Sequence, residues 1–169
     1  MLLSLSIKNY ALIESLDIDF SNQFSVITGE TGAGKSILLG ALGLVLGNRA
    51  DLTSLKDKEQ KCIIEAEFSL SNYNLQAFFA ENDLDYEDKT IIRREILPLG
   101  KSRAFVNDSP VNLQELQKLG GFLLDIHSQN QTRELTEEAY QLEILDAMAS
   151  NQNTIIDYQA VLAQFKAKQ

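Results

Sequence analysis

The stretch Gly29-Glu30-Thr31-Gly32-Ala33-Gly34-Lys35-Ser36 limits what this chain can fold into more than any other. It satisfies the pattern G-x-x-x-x-G-K-[ST]. Before it comes a short apolar run, Phe24 to Thr28, and after it Ser36 to Leu46, apolar on most sides. That order predicts a buried strand, a glycine loop and a largely buried helix. Glycines have no Cβ, so the loop's N–H groups can curl around an anion, and the helix N-terminus adds its dipole. Lys35 supplies a point charge for β- and γ-phosphates, and the Ser36 hydroxyl a magnesium ligand. Four fixed positions turn up by chance in under about 1% of chains this long. The expectation is an α/β P-loop fold that binds a purine nucleoside triphosphate, ATP foremost, with Mg2+ through Gly29 to Ser36.

Around the loop, the alternation of apolar and polar residues predicts strands at Leu3–Ile7, Leu16–Phe20 and Cys62–Leu70. Lys89–Leu97 and Ser102–Val106 read as two strands joined by Pro98-Leu99-Gly100. Phe122 to Ile126 reads as a second buried strand. Helices are expected at Leu75–Ala80, capped by Asn74 or Ser71, at Val111–Leu119, and from Thr136 to the end. Gly47-Asn48 marks the stop of the helix after the loop. Gly40 and Gly43 weaken that helix intrinsically, and close packing on the sheet is a reason to keep them. Ile155, Tyr158, Leu162 and Phe165 are spaced three, four and three, as in an a/d seam. They fit either the first turns of a coiled coil or a plain amphipathic helix.

Composition narrows the rest. The net charge of −9 over 169 residues argues against bulk electrostatic coating of nucleic acid. Arg93, Arg94, Lys101 and Arg103 fall close together and fit either a solvated hairpin or a local patch over a duplex. No apolar run approaches the roughly 20 residues of a membrane span. The lone Cys62 has no internal disulfide partner, which fits a reducing cytoplasm.

The loop does not name the reaction, because kinases, GTPases, ABC-type and motor ATPases all carry one. Phe122-Leu123-Leu124-Asp125 is a tolerable match to an apolar run ending in a magnesium-holding carboxylate, but Ile126-His127 follows. Neither Leu-Ser-Gly-Gly nor Asn-Lys-x-Asp occurs. A self-contained small P-loop kinase or nucleotide switch needs a lid or base-reading motif that is not visible. A pure interaction module is a third option.

The chain resembles the N-terminus of the RecN family, the bacterial SMC-like DNA repair ATPases. The match is carried by Leu5-Ser6-Ile7-Lys8-Asn9-Tyr10-Ala11-Leu12-Ile13, the P-loop, Gly43 to Asp51, Ser102 to Asn107, and Leu124-Asp125-Ile126-His127-Ser128-Gln129. The resemblance implies an N-terminal lobe of an ABC/SMC-type ATPase head with an antiparallel β subdomain (residues 1–150) and the start of a coiled-coil arm (residues 151–169). It implies that Lys35 and Gln129 act in catalysis, with Ser36 and Gln129 on magnesium. Lys8 and Asn9 would approach the nucleotide, and Arg49 would lie near nucleotide or DNA. Implied partners are DNA through the full-length protein, the C-terminal lobe of the same protein, and a second head across sandwiched nucleotide. The implied setting is cytoplasmic and nucleoid-associated, with no membrane. Ser128, Asn130, Gln131 and Asn48 depart from the family's usual residues.

Overall fold

The computed structural model of the chain describes residues 1–29, 34–126, 138–149 and 151–167. They fall into two compact units, Met1–Ile126 and His127–Gln169. The first contains strands β1 (Leu2–Tyr10), β2 (Ile13–Asp19), β3 (Cys62–Ser69), β4 (Lys89–Ile96), β5 (Ser102–Val106) and β6 (Ser109–Val111). Its helices are α1 (Gly34–Val45), α2 (Gln76–Glu81) and α3 (Leu113–Leu123). The strands form one sheet in the order β2-β1-β3-β4-β5-β6, and every neighbouring pair is antiparallel.

Period-2 alternation decides which face of the sheet is buried. Along β3, Cys62, Ile64, Ala66 and Phe68 are fully buried while the residues between them are half-exposed. The registers carry this face across four strands. Leu5, Ala66, Ile92 and Val106 form one row, and Ile7, Ile64, Arg94 and Ala104 the next. Ala41, Leu44 and Val45 of α1 join the same core, as do Leu116, Leu119 and Leu123 of α3 and Phe79 of α2. The burial of each large apolar side chain contributes about 1.5–3 kcal/mol, which is what holds the helices on the sheet.

Local signals set the helix ends. At the start of α3 the Asn112 side chain accepts from the backbone N–H of Gln114 and Glu115, both at 2.9 Å. Glu115 in turn accepts from the Asn112 N–H at 3.1 Å, which completes a capping box. Helix α1 stops at the expected glycine, since Gly47 takes φ +98°. Helix α2 has no side-chain cap, so neither Asn74 nor Ser71 plays the expected part.

Two expected strands do not form. Residues 24–28 have no regular structure, and Phe24 and Val26 are 82% and 68% exposed. A strand exists only with a hydrogen-bonded neighbour, and the six-stranded sheet does not include this segment. Phe122–Ile126 is not a strand either. Helix α3 runs on through Gly120 and Gly121 to Leu123, and Leu124 to Ile126 follow irregularly. Gly120 is where α3 crosses the end of α1: a Cβ there would stand 2.8 Å from the Leu46 carbonyl oxygen. The short strand β6, which the sequence pattern did not announce, pairs with β5 through the turn at Asn107, whose φ is +53°.

The second unit contains α4 (Glu138–Met148) and α5 (Gln152–Ala167). Where one helix was expected from Thr136 onward, the described residues form these two, and Ala149 and Asn151 belong to neither. In α5, Ile155 and Leu162 are half-buried, whereas Tyr158 and Phe165 are 65% and 59% exposed.

Candidate functional site

Gly29 ends the irregular segment 21–29 and Gly34 opens α1, so described residues flank the glycine loop on both sides. Glu30, Thr31, Gly32 and Ala33 lie outside the described residues. The Lys35 Nζ donates to the Gly29 carbonyl oxygen at 2.8 Å. Lys35 and Ser36 are exposed, and the first turn of α1 carries no acidic residue. The helix N-terminus thus brings backbone N–H groups, the Lys35 ammonium and the Ser36 hydroxyl to one place, in a first turn without a carboxylate. That set of groups fits a polyphosphate with a bound magnesium ion.

Of the residues expected from β1, Lys8 is exposed. Asn9 has another job in this structure. It is 8% exposed with φ +55°, and its side chain grips the loop at residues 57–60. Nδ2 donates to the carbonyls of Asp57 and Gln60, both at 2.9 Å, and Oδ1 accepts from the Asp57 N–H at 2.7 Å. Three directed bonds use the amide nearly to capacity, so its side chain is not offered to a ligand. Arg49 is exposed at the start of the segment that leads into this loop. Gln129 and His127 lie outside the described residues.

The neighbouring Tyr10 links β1 to α1. It is buried to 8% exposure, and a Cβ on Gly40 of α1 would fall 2.7 Å from its Oη. Burial, with the Cys62 thiol nearby, raises the Tyr10 phenol above its ordinary range, and the Ser54 hydroxyl works the other way. No sequence signal announced this contact, because the two residues meet only when α1 lies on the sheet.

The four basic residues near the β4–β5 hairpin do not form one patch. Arg93 and Arg94 are adjacent on a strand and so point to opposite faces. Arg93 lies 3.6 Å from Glu65 and 3.9 Å from Glu95, with its guanidinium 4.6 Å from the centre of the Phe105 ring. Arg94 is inside the core, 1% exposed, where burial pushes its guanidinium down. Its Nη2 donates to Ser102 Oγ at 3.5 Å. Only Lys101 and Arg103 remain exposed at the surface. Among the described residues no helix is long and apolar enough to cross a membrane.

A family model described as AAA domain matches residues 4–168. DNA repair protein RecN of Vibrio cholerae serotype O1 is 43% identical over 152 residues, which is 89% of this chain and 27% of that protein. RecN of Bacillus subtilis strain 168 is 40% identical over 151 residues, 88% of this chain and 26% of that protein. The chain therefore spans about a quarter of the length of the curated relatives it matches. A solved structure from work on ATP-driven dimerization and DNA-stimulated activation of SMC ATPases superposes with a TM-score of 0.62 at 18% identity. It covers 87% of this chain and 98% of its own, and at that identity it establishes fold alone. The chain belongs to the AAA domain family, with the fold of an SMC-type ATPase head and RecN proteins as its sequence relatives.

Proposed function

We propose that this chain is the nucleotide-binding lobe of an SMC-like ATPase head acting in DNA double-strand break repair and recombination. It binds ATP through Gly29 to Ser36, with Lys35 on the β- and γ-phosphates. Magnesium is held by the Ser36 hydroxyl, the phosphates and, by resemblance, Gln129. The observation that carries the reading is the Lys35–Gly29 bridge of 2.8 Å at an exposed helix N-terminus free of acidic residues. Lys8 and Arg49, both exposed, complete the nucleotide-facing set, while Asn9 acts by holding the 57–60 loop.

The remaining parts of the active site come from elsewhere in the longer protein. The exposed Phe24, Val26 and Ile27 beside the glycine loop support this, because an apolar segment of strand pattern gains by pairing with a further strand. A C-terminal lobe of the same protein supplies that strand, the catalytic carboxylate and the signature motif. Two heads then dimerise across sandwiched nucleotide, and the segment from residue 151 onward, with helix α5, begins the coiled-coil arm. DNA is engaged by the full-length protein in the cytoplasm, at the nucleoid. On this reading the chain alone binds ATP but turns it over little. Adding the C-terminal lobe should restore hydrolysis in a phosphate-release assay. Robust turnover by the chain alone, abolished in Lys35→Ala, contradicts the split site.

A further inference from the structure

With Gly29–Ser36 read as the nucleotide site, whatever seats α1 on the sheet also sets the position of Lys35 and Ser36. Tyr10 stands at that seat. Its neighbours on either side take left-handed backbone, Asn9 at φ +55° and Ala11 at φ +51°. Non-glycine residues stay in that region only where their surroundings hold them there. Here the holding groups are visible. Asn9 makes its three side-chain bonds to residues 57–60, the Ala11 N–H donates to the Ser54 carbonyl at 2.6 Å, and Tyr10 pairs with Leu55 as an isolated bridge. The end of β1 is thus strapped on one side by the segment between α1 and β3.

On the other side the phenol reaches α1. Gly40 lies five positions after Lys35, about one and a half helical turns. Helix propensity disfavours glycine there, and the space it leaves is filled by the Tyr10 hydroxyl. A Cβ at Gly40 would meet Oη at 2.7 Å and Cζ at 3.7 Å, so the conflict is with the hydroxyl alone. We propose that Tyr10 is a positioning residue for the phosphate site: held by the Asn9–Ala11 turn, its hydroxyl seats α1 through Gly40 and so places Lys35 and Ser36. The ring itself is buried and is not presented to a ligand.

The test is MgATP binding by the chain and its Gly40→Ala, Tyr10→Phe and double variants, with circular dichroism to follow the fold. Alanine alone should help the helix, yet Gly40→Ala is expected to weaken binding about tenfold, which is about 1.4 kcal/mol. Tyr10→Phe loses the seat and should itself weaken binding, but it also removes the conflicting oxygen, so adding Gly40→Ala to it should change binding by no more than about threefold. Unchanged binding in Gly40→Ala, or an equal loss when it is added to Tyr10→Phe, overturns the proposal. Should Gly40→Ala fail to fold, recovery of fold and binding together in the double variant supports it, and a folded double variant that does not bind overturns it. Lys35→Ala separates this from the site reading. Wild-type binding lost in Lys35→Ala but kept in Gly40→Ala removes only the Tyr10 seat, whereas no wild-type binding removes both.

Discussion

Strand β3 and residues 24–28 carry similar side chains and end in opposite environments. Phe68 is 0% exposed and Phe24 is 82% exposed. β3 has β1 on one side and β4 on the other, in registers that line its apolar face with theirs. The segment before the glycine loop has no hydrogen-bonded strand among the described residues. Apolar pattern therefore marks a segment for burial, but the partner strand decides whether burial occurs. The site sits on this divide. Helix α1 is anchored by a finished core, and the loop at its start is approached by an unfinished edge.

The comparison can be broken most sharply by substituting both phenylalanines. Phe68→Ala should destabilise the first unit by about 3–5 kcal/mol in urea denaturation. Phe24→Ala in the same assay should change stability by no more than about 0.5 kcal/mol. Equal costs would mean that residues 24–28 are packed after all. Repeating Phe24→Ala with the C-terminal lobe present should make it costly, if that lobe supplies the missing strand.

The buried face also has a pH signature that the exposed segment lacks. Burial raises the Cys62 thiol from its ordinary value of 9.0 to about 11. The unfolded chain then loses this proton before the folded one does. Stability should be intact below about pH 9 and fall as pH rises toward 11, by up to about 3 kcal/mol, since each pH unit is worth about 1.4 kcal/mol. Tyr10, also raised, adds to the fall at its upper end. Cys62→Ala should flatten the lower part of the curve, and an unchanged slope would refute the assignment. A smaller effect tests the helix on the other side of the core: Asn112→Ala removes the α3 capping box and should cost about 1 kcal/mol.

Much of this was legible in the sequence where the information is local. Strand alternation located β3, β4 and β5 almost to the residue, and the glycine pattern located the start of α1. Gly47 marked the end of that helix. The misreadings arose where distant contacts decide. Phe122 and Leu123 looked like a strand after a glycine pair, yet the Asn112–Glu115 box launches a helix that carries through Gly120, where the small residue lets α3 approach Leu46. Apart from these misreadings, the Asn9 side chain holds the 57–60 loop, a contact that exists only in the folded chain. For Arg93, Arg94, Lys101 and Arg103 the sequence left a solvated hairpin and a local patch both open, and period-2 geometry separates Arg93 from Arg94.

The most direct test of the account is a titration of the chain with MgATP, beside Lys35→Ala. The account predicts saturable one-to-one binding that weakens at least about tenfold without the lysine, while the circular dichroism spectrum is unchanged. No binding by the folded wild-type chain, or equal affinity in Lys35→Ala, would contradict it.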